Sequence, residues 1–459
     1  MERLEADYLI IGSGAMGMAF ADVLVTETDA TMVMVDRHHQ PGGHWNDAYP
    51  FVRLHQPSAF YGVNSRQLGS NAIDTTGWNK GLYELASNSE VCAYFGQVMQ
   101  RQFLPSGRVR YFPLCEYRGD ARFDSLLSGE EYEVAAGKVV DTTYMNVTVP
   151  AVSPAPFETA DGTHCVPLND LPRLAGDFER HVIVGAGKTG MDACLFLLAH
   201  GQSPDAITWI VPRDSWLLDR ANIQPPGDTD GGTVTVFDRQ FGPIAQASDI
   251  EDLFERMDAT GQLLRLDPNV KPTMYRCATV TRAELEQLRR IDGIVRLGHV
   301  ERIERDRIVL EHGTVPTSTR TLHVHCAADG LARRPPVPVF EGHTITLQAL
   351  RTCQQVFGAA FTAHVETIIG DEETKNRICT PVPHPDSDID FLRTTLGNAL
   401  NQMEWMTHEE LTGWLRNSRL DVFTPSEKAM GNLDTDTILA AIGNLQKLLA
   451  EVDGNPAQA

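Results

Sequence analysis

Two stretches of the chain repeat one design, and that repeat constrains the fold more than anything else in its 459 residues. In the first, the apolar run Tyr8-Leu9-Ile10-Ile11 leads into Gly12-Ser13-Gly14-Ala15-Met16-Gly17, a helical stretch and a second apolar run at 31–35. In the second, Val182-Ile183-Val184 leads into Gly185-Ala186-Gly187-Lys188-Thr189-Gly190, a helical stretch and a further apolar run at 207–211. Strand, glycine turn, helix and strand make a βαβ unit, so two parallel sheets covered by helices are predicted. In G-x-G-x-x-G the first glycine turns the chain off the strand, the second lets backbone approach a pyrophosphate, and the third lets helix and strand pack closely. Phosphates then rest on the helix N-terminus, where unpaired N–H groups and the dipole favour negative charge. The spacing therefore predicts two dinucleotide sites.

What closes each second strand separates the two sites. Asp36 closes the first and is placed to accept hydrogen bonds from an adenosine ribose. The second closes with Val211-Pro212-Arg213-Asp214. A guanidinium there pairs with a 2′-phosphate and favours NADPH over NADH. The alternative leaves Arg213 at the surface and puts Asp214 on the ribose. Lys188, inside the second loop, either adds charge near the phosphates or points to solvent.

The residues after Asp36 carry a more specific signal. Pro41-Gly42-Gly43-His44-Trp45-Asn46 is followed by Tyr49-Pro50-Phe51-Val52-Arg53-Leu54-His55. Together with two dinucleotide loops in one chain, this GG-x-W run and aromatic-Pro turn resembles the flavin-containing and Baeyer–Villiger monooxygenases. The resemblance implies an α/β fold: an FAD-binding Rossmann-like domain of three ββα layers with an inserted NAD(P)-binding Rossmann domain. It places FAD on Gly12, Gly14, Gly17 and Asp36, and NADPH on Gly185, Gly187, Lys188, Gly190 and Arg213. Gly42 and Gly43 would let backbone approach the flavin's phosphate–ribityl arm. Trp45 would wall the isoalloxazine pocket, or serve as an ordinary core tryptophan. His55 falls at the polar position the family sets beside the reactive flavin carbon, with Gln56 as runner-up; a plain loop histidine is the alternative. Two motifs depart from the pattern. The linker motif FxGxxxH is replaced by Phe157 through Gly162 and His164 at different spacing, and Ala327-Ala328-Asp329-Gly330 keeps only the shape of Ala-Thr-Gly.

The implied activity is insertion of one oxygen atom from O2 into a small organic substrate through a C4a-peroxyflavin, with NADPH as reductant. A neutral imidazole at His55 would hydrogen-bond the oxygen adduct. An NAD(P)H oxidase or reductase shares every motif, and a non-catalytic flavin-binding redox sensor fits the two degraded ones. The expected division is 1–172 for the first part of the FAD domain, 173–325 for the NAD(P) domain, and 326–459 for the second part with C-terminal helices. The segment 214–276 reads as a long irregular insertion, broken at Pro225-Pro226-Gly227 and Gly231-Gly232, where substrate identity is encoded. One helix is expected over 81–103, and two separated by Pro425 after Asp388.

Composition excludes several other classes. A formal net charge of −22 repels nucleic acid and anionic membranes, so neither is expected as a partner. No apolar run approaches the ~20 residues of a membrane span, and the acidic N-terminus is no signal peptide, so a cytoplasmic location is expected. A homodimer stays open. Eight cysteines without a CxxC predict buried free thiols rather than disulfides, no zinc site, and no dithiol of the kind flavin disulfide reductases use. No HExxH or G-x-S-x-G is present. The pairs His38-His39 and His323/His325 are read as non-catalytic, the second as one buried and one exposed.

Overall fold

The structure is a computed structural model that describes residues 1–145, 147–225, 232–328, 330, 334–421, 423–424 and 434–454. Pro226, Gly227, Gly231, Asp329 and Pro425, invoked above, lie outside the described residues. Strand β1 (Glu2–Ile11), helix α1 (Ala15–Glu27) and strand β2 (Met32–Asp36) form the first βαβ unit. β1 is central, with β2 and then Val109–Pro113 on one side, and Glu131–Asp141 and then Thr344–Thr346 on the other, all parallel. The N-terminal half of Glu131–Asp141 also pairs antiparallel with Arg122–Ser125, which pairs with Cys115–Gly119. That meander closes one face of the sheet over Phe112, Phe123 and Tyr132, the last two stacked at 4.7 Å. On the other face α1 lies against helix Gln355–Ile368 and is buried without a break from Met16 to Leu24. A helix covered all round is a core helix, which is why its sequence carries no polar stripe.

The second sheet repeats the plan. Its parallel order is His164–Pro167, Thr321–His325, Arg180–Val184, Ile207–Ile210, Ile294–Val295, flanked by a meander of Val300–Ile303, Arg307–Leu310 and Gly313–Pro316. The strand His164–Pro167 stands ahead of the expected boundary at 173, because it pairs in parallel with Thr321–His325. The segment offered as a degenerate linker is thus part of the second unit: Glu158–Thr159 joins the meander, Gly162 turns the chain at φ +82°, and His164 opens the edge strand.

Four further expectations are corrected. His323 and His325 are both buried, at 0% and 4% exposure. Residues two apart on a strand share a face, and every residue of this strand is buried, so both of its faces are covered. The helix expected over 81–103 starts at Asn88, where Ser87 and Glu90 form a capping box, and ends in a π-helical turn at Met99–Phe103. Among its described residues the insertion carries regular elements: Ser215–Asp219 pairs in parallel with Met274–Val280, and helices Gly232–Gln246 and Ile250–Ala259 lie between them in sequence. These helices pack with Asp388–Met406 and Thr435–Asp453 around a core of their own that includes Trp216, Phe254, Tyr275, Phe391 and Leu445. Finally, Cys277 and Cys353 form a disulfide, while the other six cysteines are free.

Candidate dinucleotide sites and the seam between them

Both glycine loops have the geometry their sequences require. Gly12 and Gly185 hold φ of +99° and +135°, where a side chain is strained. A Cβ on Gly17 would stand 2.1 Å from the Gly12 carbonyl oxygen, and one on Gly190 the same 2.1 Å from that of Gly185. The third glycine therefore sets how closely each helix approaches its strand. Gly14 and Gly187 precede α1 and helix Lys188–Ala199, and neither helix has a side-chain cap. Their first N–H groups are left for an anion. A Cβ on Gly187 would meet nothing within 4 Å, so the second loop is open to a ligand. The first loop is met by the GG-x-W run: Gly42 N–H donates to the Ser13 carbonyl at 3.0 Å, and a Cβ on Gly43 would lie 2.9 Å from Gly14 Cα.

Asp36 is buried beneath the first loop, with all four lone-pair sites engaged. Oδ2 accepts from Ser13 N–H at 2.6 Å and Ser13 Oγ at 2.8 Å, while Oδ1 accepts from His38 N–H at 2.8 Å and contacts His38 Nδ1 at 2.9 Å. Burial alone would raise this carboxyl, but the bonds from His38 and Ser13 hold it below its ordinary value. The Asp36 bond, opposed by burial, raises His38, whose Nε2 reaches Asp47 at 2.9 Å. A ribose hydroxyl reaching Asp36 would replace one of these bonds. Beside the loop opens a cleft of about 750 Å³ lined by residues including His39, Gln40, Pro41, Gln100 and Tyr111. It is within the range of small-molecule sites, about 300–1,000 Å³. Tyr111 Oη, 3.2 Å from Ser13 Oγ, connects it to the loop.

The aromatic-Pro turn lies against the helix of the second loop. Phe51 stacks on Phe196 at 4.3 Å, and Phe196 on His200 at 4.0 Å. Tyr49 Oη donates to Asp192 Oδ2 at 2.6 Å, and Lys188 Nζ donates to Asp192 Oδ1. Lys188 thus points to a carboxylate rather than to solvent, with 11% of its side chain exposed. His55 follows on the same turn. Its imidazole is pushed down to about 3, first by burial and then by the charges of Lys188 and Arg220. Arg220 is 1% exposed; its Nε donates to the His55 carbonyl at 2.9 Å and its Nη1 pairs with Glu284 at 3.0 Å. Gln56, next along, is half-buried. Trp45 is 7% exposed, with its indole N–H donating to Tyr61 Oη at 2.6 Å.

Arg213 sits where the second unit meets the chain after 380. Its Nη1 reaches Asp386 at 3.2 Å and its Nη2 donates to the Thr273 carbonyl at 2.7 Å, so a 2′-phosphate there competes with Asp386. Burial would raise Asp386, but Arg276 and then Arg213 hold it below its ordinary value. Asp214, the alternative ribose ligand, is buried in a two-pronged pair with Arg296 at 2.7 and 3.0 Å. Sequence reasoning missed Asp192, Arg220 and Asp386. Only Asp192 left a trace, four residues after Lys188 on one helix face.

Comparison with known proteins agrees with the architecture and leaves the chemistry to the site. No protein-family model matches the chain. The fold resembles that of a polycyclic ketone monooxygenase from the thermophilic fungus Thermothelomyces thermophila, with a TM-score of 0.50, 12% identity, and coverage of 99% of this chain and 89% of that one. An uncharacterized protein of Mycobacterium tuberculosis strain H37Rv is 55% identical over 426 residues, which is 92% of this chain and 78% of that protein. An uncharacterized protein of Mycobacterium bovis matches to the same extent. The chain, itself of α/β fold, belongs to the family of these mycobacterial proteins.

Proposed function

We propose that the chain is an FAD-dependent, NADPH-driven monooxygenase acting on a small organic substrate with O2. The observation that carries this reading is the place of His55: an uncharged imidazole on the turn that packs the GG-x-W region against the second glycine loop. Flavin and NADPH, when bound, would supply the hydride and oxygen chemistry; everything else falls to the protein.

The residues fit both groups. The uncapped N-termini at Gly14 and Gly187 receive the two pyrophosphates, and Gly187 has the open face that a close backbone approach needs. The cleft beside Tyr111 takes the adenosine of FAD, with Asp36 giving up one bond to its ribose. Lys188 exchanges part of its pairing with Asp192 for the nicotinamide dinucleotide's phosphates, and Arg213 turns from Asp386 to the 2′-phosphate. Trp45 and Tyr61 form an apolar wall that keeps water out. Neutral His55 donates from one ring nitrogen and accepts at the other, so it can hold a reactive oxygen group without protonating it away.

The test is the balance of NADPH consumed against H2O2 released in the flavin-loaded protein, with panels of ketones, sulfides and amines. The reading expects one oxygen atom incorporated per NADPH for an accepted substrate. It also expects His55→Ala to raise the H2O2 yield several-fold while NADPH still reduces the flavin. Stoichiometric H2O2 from the unmodified protein across all three panels would replace this reading with the oxidase one.

A further inference from the structure

The Cys277–Cys353 disulfide joins parts of the chain that the two dinucleotide units contribute separately. Cys277 lies in strand Met274–Val280, paired with the strand that continues from Arg213; Cys353 precedes helix Gln355–Ile368, which packs on α1. Around the bond the seam is otherwise held by Asp386, which takes Arg276 Nε at 2.5 Å and Arg213 at 3.2 Å and whose carbonyl accepts from Tyr275 N–H at 3.1 Å. His384 Nδ1 stands 3.6 Å from Cys353 Sγ. A disulfide sulfur carries no proton, so the imidazole is the donor in this contact. His384 also lines a cleft of about 260 Å³, shared with Tyr144, Arg334, Gln348 and Asp386, and both cysteines are partly exposed.

We propose that Cys277, Cys353 and His384 form a thiol–disulfide exchange site for a dithiol reductant, and that this site fastens or releases the seam between the two dinucleotide-binding units. The thiolate of the reductant attacks Cys277 Sγ, so that Cys353, the sulfur that His384 faces, is the leaving group. The S–S bond breaks, and its electron pair passes to Cys353 Sγ, a thiolate that His384 Nδ1–H hydrogen-bonds until it takes from solvent the proton that the attacking thiol released. The second thiol of the reductant then attacks the mixed disulfide on Cys277. The reductant leaves as its own disulfide, oxidised by two electrons, and the protein keeps two thiols. His384 suits this step because burial, and then Arg276, push it down to about 4, leaving a neutral ring whose Nδ1–H hydrogen-bonds the departing thiolate without itself losing a proton.

Selectivity supports exchange over a mere staple. A disulfide framework uses its cysteines in pairs, whereas here one pair stands among six free thiols. Burial raises the thiols of Cys92, Cys115, Cys165, Cys194, Cys326 and Cys379, which makes them poor nucleophiles.

The experiment maps thiols by alkylation and peptide mass spectrometry on the intact protein. Without reductant, six of the eight cysteines should alkylate after unfolding, and native treatment with dithiothreitol should bring the count to eight. Glutathione, which has no second thiol, should leave its adduct on Cys277. His384→Gln should slow native reduction at least fivefold without altering the six-thiol starting count. Eight thiols without reductant, reduction only after unfolding, an adduct on Cys353, or an unchanged rate in H384Q would each overturn the proposal.

Discussion

The second glycine loop makes neighbouring positions do different work, and two alanines separate them. A Cβ at Gly190 would stand 2.1 Å from the Gly185 carbonyl oxygen and 3.1 Å from its carbon. An ordinary carbon–oxygen contact needs about 3.3 Å, so the helix must retreat from the strand by roughly 1 Å. Overpacking of this kind costs about 1–3 kcal/mol. At about 2–4 °C per kcal/mol for a unit of 150–250 residues, Gly190→Ala should lower the melting temperature by roughly 2–12 °C. Gly187 has φ −74°, and its Cβ would enter open space. Alanine is a poorer N-cap than glycine by roughly 0.5–1 kcal/mol, but restricting the unfolded chain returns about 0.4–1 kcal/mol, so Gly187→Ala should change stability by less than about 0.5 kcal/mol. Its methyl stands where a pyrophosphate must approach, and NADP⁺ affinity should fall at least tenfold, about 1.4 kcal/mol. Melting curves of the ligand-free protein and calorimetric NADP⁺ titrations read the two effects apart. If Gly187→Ala melts as low as Gly190→Ala, or binds NADP⁺ as well as the unmodified protein, the loop is not a pyrophosphate cradle.

Arg213→Ala should weaken NADPH at least tenfold more than NADH in steady-state KM; equal losses for the two would remove the 2′-phosphate assignment. Acid stability has a definite sign. His55, His44 and His384 are pushed down to about 3, 4 and 4, chiefly by burial, from an ordinary value near 6.5. Between those values the unfolded chain binds protons that the folded one refuses, so stability is lost as pH falls from about 6.5 toward 4. Asp36 and Asp386, held below their ordinary 3.8, add a further loss only at lower pH. Thermal melts should therefore fall steadily through pH 6 to 4, and a flat profile there would refute the buried neutral histidines.

Legibility followed range along the chain. The two βαβ units were readable because strand, turn and helix are local, and because a third glycine has one steric reason to exist. The strand His164–Pro167 was not, since only its pairing with Thr321–His325, far along the sequence, makes it a strand. The core shared by Trp216, Phe254, Phe391 and Leu445 joins segments about 200 residues apart, each of which reads alone as an amphipathic surface helix or a loop. Cys277 and Cys353, 76 residues apart, have no spacing that distinguishes them from the six free thiols. Arg213 was legible as a cation at the end of a strand; Asp386, which holds it, was not.

The same distinction explains why His55 is uncharged. Its position came from the aromatic-Pro turn; burial does most to keep it neutral, and the charges of Lys188 and Arg220 add to that. Tyr49 is pushed well up by burial and then by Asp192, so it stays protonated and donates to that carboxylate. Asp192 in turn fixes Lys188 within reach of the second glycine loop, and the Lys188 charge helps keep the imidazole neutral. A carboxylate that both holds the lysine and ties the turn to the helix makes the two loops one electrostatic unit. Drawing Lys188 toward an incoming phosphate would loosen its hold on Asp192 and strip positive charge from beside His55 at the moment the nicotinamide dinucleotide binds. On the proposed reading, occupancy of the second site would thereby reach His55 through the two bonds that tie Tyr49 and Lys188 to Asp192.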